Sequence, residues 1–431
     1  MNKLLFRGTV VLPDHLLTGG GVLVRDDKII AVDRAAAFAG AIDAKTKVID
    51  AGDGYISPGF VDLHVHGGLG ADFMDGTAEA YRTALIAHAR HGTTSLTPTT
   101  TVARHDQILR VLELTREFMR PQLMWPQHRS SDSPSPPAPL PQGERGAKPE
   151  VAREAVLPRV LGAHFYGPYF RYEARGAHPG AAIRPPVEHE FRAYLEYADA
   201  MATATVAPEL PGAEEFSRAC VDRGVRMNAG HSWATFEQMR AAVGWGVRHI
   251  DHLYCAMSDK TRLRQFQTYP MQGGVLEATL FFDELTTEVI ADGKHLSPDL
   301  LHLALKCKGP DRLALVTDCN RALDMPEGPY LIGPTDGGEP LIHRDGVGLM
   351  PDGKGLASSV RGMDHMLRVF WEQTGRPLWE VIRMASLTPA RIVGRDREIG
   401  SLEVGKRADV VVLNETLDVK HVYCDGREFT S

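Results

Sequence analysis

His64 and His66 stand one residue apart in the run PGFVDLHVHG at 58–67. Alternate residues of a strand share a face, so the two imidazoles point the same way. At the end of an inward-facing strand they converge on one point, as a divalent ion requires. In a chain with 18 histidines such a pair arises readily by chance and carries little alone. Three more polar residues close apolar runs: His231 after 225–229, His252 in 247–253, and Asp318 after 313–317. Each taken singly could be a capping or hydrogen-bonded residue. Together they read as a metal site with a carboxylate at hand, able to activate a water and move a proton. No GxSxG elbow is present, so nothing points to a serine nucleophile.

Such a set needs a frame that gathers strand ends. Eight apolar runs recur at 59–66, 93–98, 159–164, 203–208, 225–229, 247–253, 287–291 and 313–317, with helix-like stretches at 77–91, 213–223, 235–243 and 298–307. Alternating strands and helices predict an α/β fold, and eight such units predict a (β/α)8 TIM-like barrel, which places catalysis at the strand ends. Residues 1–56 and the last 45 residues read instead as short strands separated by turns. We therefore expect a small β-sandwich domain from 1–56 plus 389–431, and a barrel over 57–388. A Pro- and Ser-rich stretch at about 121–150 has little to bury and reads as a disordered insertion.

The 43% hydrophobic and 24% charged composition is that of a globular protein. Net charge is −7 without a block of like charges, which argues against a nucleic-acid or membrane partner. Five scattered cysteines, an odd number with no CxxC pair, read as free thiols. The first residues lack a signal-peptide core and no run reaches 18 apolar residues, so the expectation is a cytoplasmic protein.

The chain resembles the amidohydrolase superfamily and, within it, the N-acetylglucosamine-6-phosphate deacetylases. The likeness is carried by PGFVDLHVHG, GADFMDGT (70–77), APE (207–209), NAGHS (228–232), HLYCAM (252–257), IADGKH (290–295), VTD (316–318) and the closing ASLTPARIVG…GSLEVGKRADVVVLN. The resemblance implies a deacetylase acting on an amino-sugar phosphate, a divalent metal such as zinc, and a homodimer. It implies Asp318 as general acid/base, His231 and His252 as ligands of the hydrolytic metal, and His64 and His66 as ligands of a further one. His178 and His295 would sit on the substrate side, and the loop after His252, with Cys255 and Ala256, would face the phosphate.

Two positions depart from the pattern. Where the family carries a metal-ligand Glu in HxEGP, this chain has Tyr166 in HFYGP (164–168). A phenol is a poor substitute for a carboxylate, so one ion is expected rather than two. It could sit with His64, His66 and Asp318, or with His231 and His252, and Tyr166 could ligate or donate a hydrogen bond to substrate. Cys255 replaces the Asn of HLYNAM, and the following loop brings Arg262 and Arg264 as candidates for an anionic group. Two other readings stay open: an amidohydrolase for an N-acyl amino acid or cyclic amide, and a barrel that only binds.

Overall fold

A computed structural model describes residues 3–120, 156–266 and 269–430; the insertion expected at about 121–150 lies outside the described residues. The chain opens with β1 (Lys3–Val11), β2 (Leu16–Arg25), β3 (Lys28–Arg34) and β4 (Lys47–Pro58). The barrel follows. Its strands are β5 (Phe60–Val65), then, past a small hairpin of β6 (Gly67–Gly68) and β7 (Ala71–Asp72), β8 (Thr93–Pro98). Next come β9 (Arg159–Val160) running on into β10 (Ala163–Phe165), β11 (Met201–Val206), β12 (Arg226–Ala229), β13 (Val247–Ile250), β14 (Thr286–Ile290) and β15 (Leu313–Val316). All eight runs become strands, and neighbours pair in parallel.

Strands β5, β8 and β11 are buried at every position, which is why they read as continuous runs rather than as alternation. The barrel closes where its last strand meets its first. The amide of Asp318 donates to the His64 carbonyl at 2.8 Å, and the amide of His66 donates to the Cys319 carbonyl at 2.8 Å.

Helices cover the outside. Thr77 caps the helix Ala78–Arg90 by accepting from the Ala80 amide. The helix Phe236–Trp245 begins with a Thr235–Gln238 capping box and stops at Gly246, whose φ of +109° suits a glycine.

The chain ends meet in one seven-stranded sheet, ordered β22 (Arg427–Glu428), β21 (Val419–Cys424), β20 (Val410–Leu413), β4, β1, β2, β3. It folds over a core that includes Leu4, Phe6, Val22, Ile56, Val410 and Tyr423. Arg159, at the start of β9, ties this sheet to the barrel through Asp409 at 2.9 Å and Asp425 at 2.6 Å.

Between β15 and the helix Met363–Thr374 lies an antiparallel sheet of β16 (Gly328–Ile332), β17 (Glu339–Arg344), β18 (Val347–Leu349) and β19 (Leu356–Ser359). It packs Ile332, Leu341 and Ala357 against Ala177, next to His178. The Ser359 amide donates to the Asp318 carbonyl at 3.0 Å.

Candidate metal and catalytic site

His231, His252 and Asp318 sit just past β12, β13 and β15, with φ values of +46°, +24° and +46°. Left-handed backbone in a residue other than glycine costs of order 1–3 kcal/mol and collects at functional sites. Here it turns each side chain off its strand end toward the barrel axis. The same rim receives His64 from β5, His66 just past its end, and Tyr166 just after β10. All six side chains are buried.

The site has two halves. In the first, Nε2 of His66 lies 3.2 Å from Oδ1 of Asp318, and Nε2 of His64 lies 3.6 Å from the same oxygen. These three residues offer ligand atoms within 4.8 Å of one another. Nδ1 of His64 donates to Oε1 of Glu288 at 2.6 Å, which leaves Nε2 as the donor atom facing Asp318. That buried Nε2 has no hydrogen-bond partner among the described residues. An unmet imidazole nitrogen beside a carboxylate oxygen is what a divalent cation would satisfy, so this donor set fits one. Burial works against charge on His64, but Asp318 and Glu288 outweigh it and raise its pKa to about 9, so without an ion Nε2 carries a proton toward Asp318 that a bound cation would displace. Burial likewise opposes charge on Asp318, yet His64 and His66 hold its carboxyl well below the usual range.

The second half is a hydrogen-bonded chain. Nδ1 of His231 donates to the Ala174 carbonyl at 2.7 Å, so its Nε2 is an acceptor. The Tyr166 hydroxyl is hydrogen-bonded to that Nε2 and lies 2.5 Å from Nε2 of His252, while the two imidazole nitrogens are 3.2 Å apart. One consistent order of protons results: His252 donates to the phenol oxygen, Tyr166 to His231, and His231 to Ala174. Burial keeps His231 and His252 neutral, the latter pushed down to about 4. Burial and the Asp251, Asp318 and Glu288 carboxylates push the phenol well above its usual range. Phe170 stacks on His231 at 4.3 Å between ring centroids and fixes its plane.

The other predicted residues fall around this centre. His178 is buried with its ring 4.9 Å from His231 and 6.2 Å from His66, so it joins the cluster. Cys255 follows His252, and burial with Asp318 and Asp292 raises its thiol to about 12. Ala256 accepts from the Ser232 amide at 3.2 Å and has a φ of +52°. His295 is held by Asp292, Nδ1 to Oδ2 at 2.8 Å. Arg262 is exposed and lies over the Trp233 ring at 5.0 Å; Arg264 is exposed at the end of the helix Lys260–Leu263.

Sequence reasoning missed Glu288, which lies 3.1 Å from His249 as well as bonding His64. It also missed Asp251, which accepts from Thr205 at 2.7 Å and Asn228 at 2.8 Å. Charged residues almost never lie inside apolar strands without a partner, so a Glu in the run Thr286–Ile290 was the available signal.

A parallel barrel with imidazoles and an aspartate at its C-terminal rim defines a metal-dependent hydrolase architecture. The sequence model of the Amidohydrolase family matches residues 55–429, and the chain belongs to that family. It is 32% identical to the N-acetylgalactosamine-6-phosphate deacetylase of Escherichia coli O157:H7, over 86% of this chain and 87% of that protein. It is 30% identical to the N-acetylglucosamine-6-phosphate deacetylase of Rattus norvegicus, over 99% of this chain and 93% of that one. Among solved structures, a mutant N-acetyl-D-glucosamine-6-phosphate deacetylase from Mycobacterium smegmatis, in complex with N-acetyl-D-glucosamine-6-phosphate, superposes with a TM-score of 0.82 at 27% identity over 100% of both chains.

Proposed function

We propose that the chain removes the acetyl group of an N-acetyl amino-sugar phosphate, N-acetylglucosamine 6-phosphate first among them, using one divalent ion. The observation that carries this is the buried His64–His66–Asp318 set at the barrel rim. The names of the relatives support the substrate class.

His64, His66 and Asp318 would hold the ion, and zinc suits so imidazole-rich a set. The ion supplies Lewis acidity and a water acidic enough to ionise near neutral pH. Asp318 takes the proton of the attacking water and delivers it to the nitrogen as the C–N bond breaks, leaving acetate and the free amine. Tyr166 keeps its proton and occupies His231 and His252, which supports one ion over two. His178 and His295 orient the sugar; Cys255, Ala256, Arg262 and Arg264 belong to the phosphate side.

The subunit pairs with a second copy through the exposed apolar side chains Phe266, Tyr269, Met271 and Phe281. A cytoplasmic location is supported by five unpaired cysteines, and no helix of the described residues is long and apolar enough to cross a membrane.

The test is elemental analysis of the purified protein, then acetate release from N-acetylglucosamine 6-phosphate and its galacto epimer with and without added Zn. Absence of both metal and acetate under every condition would sink this reading. Bound metal with no acetate from either sugar would move the substrate to an N-acyl amino acid or cyclic amide.

A further inference from the structure

Glu288 lies one layer below the rim in the middle of β14 and is 1% exposed. Its two oxygens reach different parts of the site. Oε1 accepts from Nδ1 of His64 at 2.6 Å and from the backbone amide of His252 at 3.2 Å, while Oε2 lies 3.1 Å from Nε2 of His249. His249 is itself fixed by Thr286, 2.8 Å from its Nδ1. The carboxylate therefore cannot swing away without breaking contacts to two strands and to the turn that carries His252.

We propose that Glu288 is the positioning residue of the metal site, orienting His64 and strengthening its Nε2 as a donor. The inference rests on the metal reading of His64, His66 and Asp318. A carboxylate on the far nitrogen of a ligating imidazole fixes the tautomer and ring plane and raises ligand basicity. With Tyr166 contributing no charge at the rim, Glu288 is the carboxylate that bonds His64 directly. Its hold on the His252 amide extends the same constraint to the second half of the site.

The experiment measures Zn affinity by chelator competition on the full chain, for the wild type, Glu288→Gln and Glu288→Leu, with circular dichroism confirming the fold. Gln keeps an acceptor for His64 but loses the charge; Leu loses both. The affinity should fall roughly 10-fold for Gln and 100-fold for Leu. Saturating Zn should restore acetate release in Glu288→Gln with KM unchanged, an effect a scaffold role would not produce. Folded variants that bind Zn as tightly as the wild type overturn the proposal. If neither variant folds, Glu288→Asp, which retracts the carboxylate by one methylene, decides on the same readout: weaker Zn binding supports it and unchanged binding overturns it. A wild type that binds no Zn defeats the metal reading itself, a result distinct from these.

Discussion

The phenol oxygen of Tyr166 lies 2.5 Å from Nε2 of His252 and is also bonded to Nε2 of His231, joining two imidazole nitrogens that face each other at 3.2 Å. The hydroxyl accepts from His252 and donates to His231, so one oxygen serves both rings. Replacing Tyr166 by Phe removes both of these buried hydrogen bonds and leaves the rings only their own 3.2 Å contact, and stability should fall by about 1–3 kcal/mol in denaturant titration. Tyr166→Glu returns a carboxylate to the same point, and elemental analysis should then find a second equivalent of metal per chain.

Asp318 faces both imidazoles through Oδ1. Exchanging it for Asn keeps the shape and removes the proton acceptor. Acetate release at saturating substrate should drop by roughly two to four orders of magnitude. Metal content measured on the same samples shows whether the ion is lost as well.

Arg159 joins a barrel strand to the terminal sheet through two carboxylates, Asp409 nearly buried and Asp425 partly so. Arg159→Met leaves Asp409 without its cation in a poorly hydrated place. Chemical unfolding should show a loss of about 3 kcal/mol.

His91 is bonded to Asp324 at 3.0 Å and Asp364 at 2.9 Å. Burial would lower its pKa, but these carboxylates outweigh it and raise it to about 9 in the folded chain, against an ordinary value near 6.5. The folded state holds the proton more tightly. The stabilisation is therefore complete below about pH 6.5 and disappears as pH rises through about 9. Relative to the wild type, His91→Gln should lose about 2 kcal/mol at pH 6 and little at pH 10. A gap that widens with pH would contradict this.

The barrel and the rim residues were readable because buried parallel strands leave continuous apolar runs, and His231, His252 and Asp318 interrupt those runs at their ends. Sequence spacing placed His64 and His66 on one face, and the structure keeps them there. Glu288 escaped because a sequence shows a carboxylate in a strand but not the ring it meets across the barrel. The sheet from Gly328 to Ser359 escaped because its strands are short and its first two are largely half-exposed, with Ile332, Leu341 and Ala357 as the small core that it shares with Ala177. Charge alone marks Arg262 and Arg264 in the sequence, and the structure shows Arg262 laid over Trp233.

The closure of the barrel between His64 and Asp318 also sets an order of events. His64 and His66 come from the first barrel strand and Asp318 from the end of the last, so the donor set exists only after that final strand has docked. During synthesis the two histidines wait through the whole barrel for their carboxylate. An ion held by all three, as proposed above, would bind the finished barrel in preference to every incomplete one and so lock the ring shut at its seam.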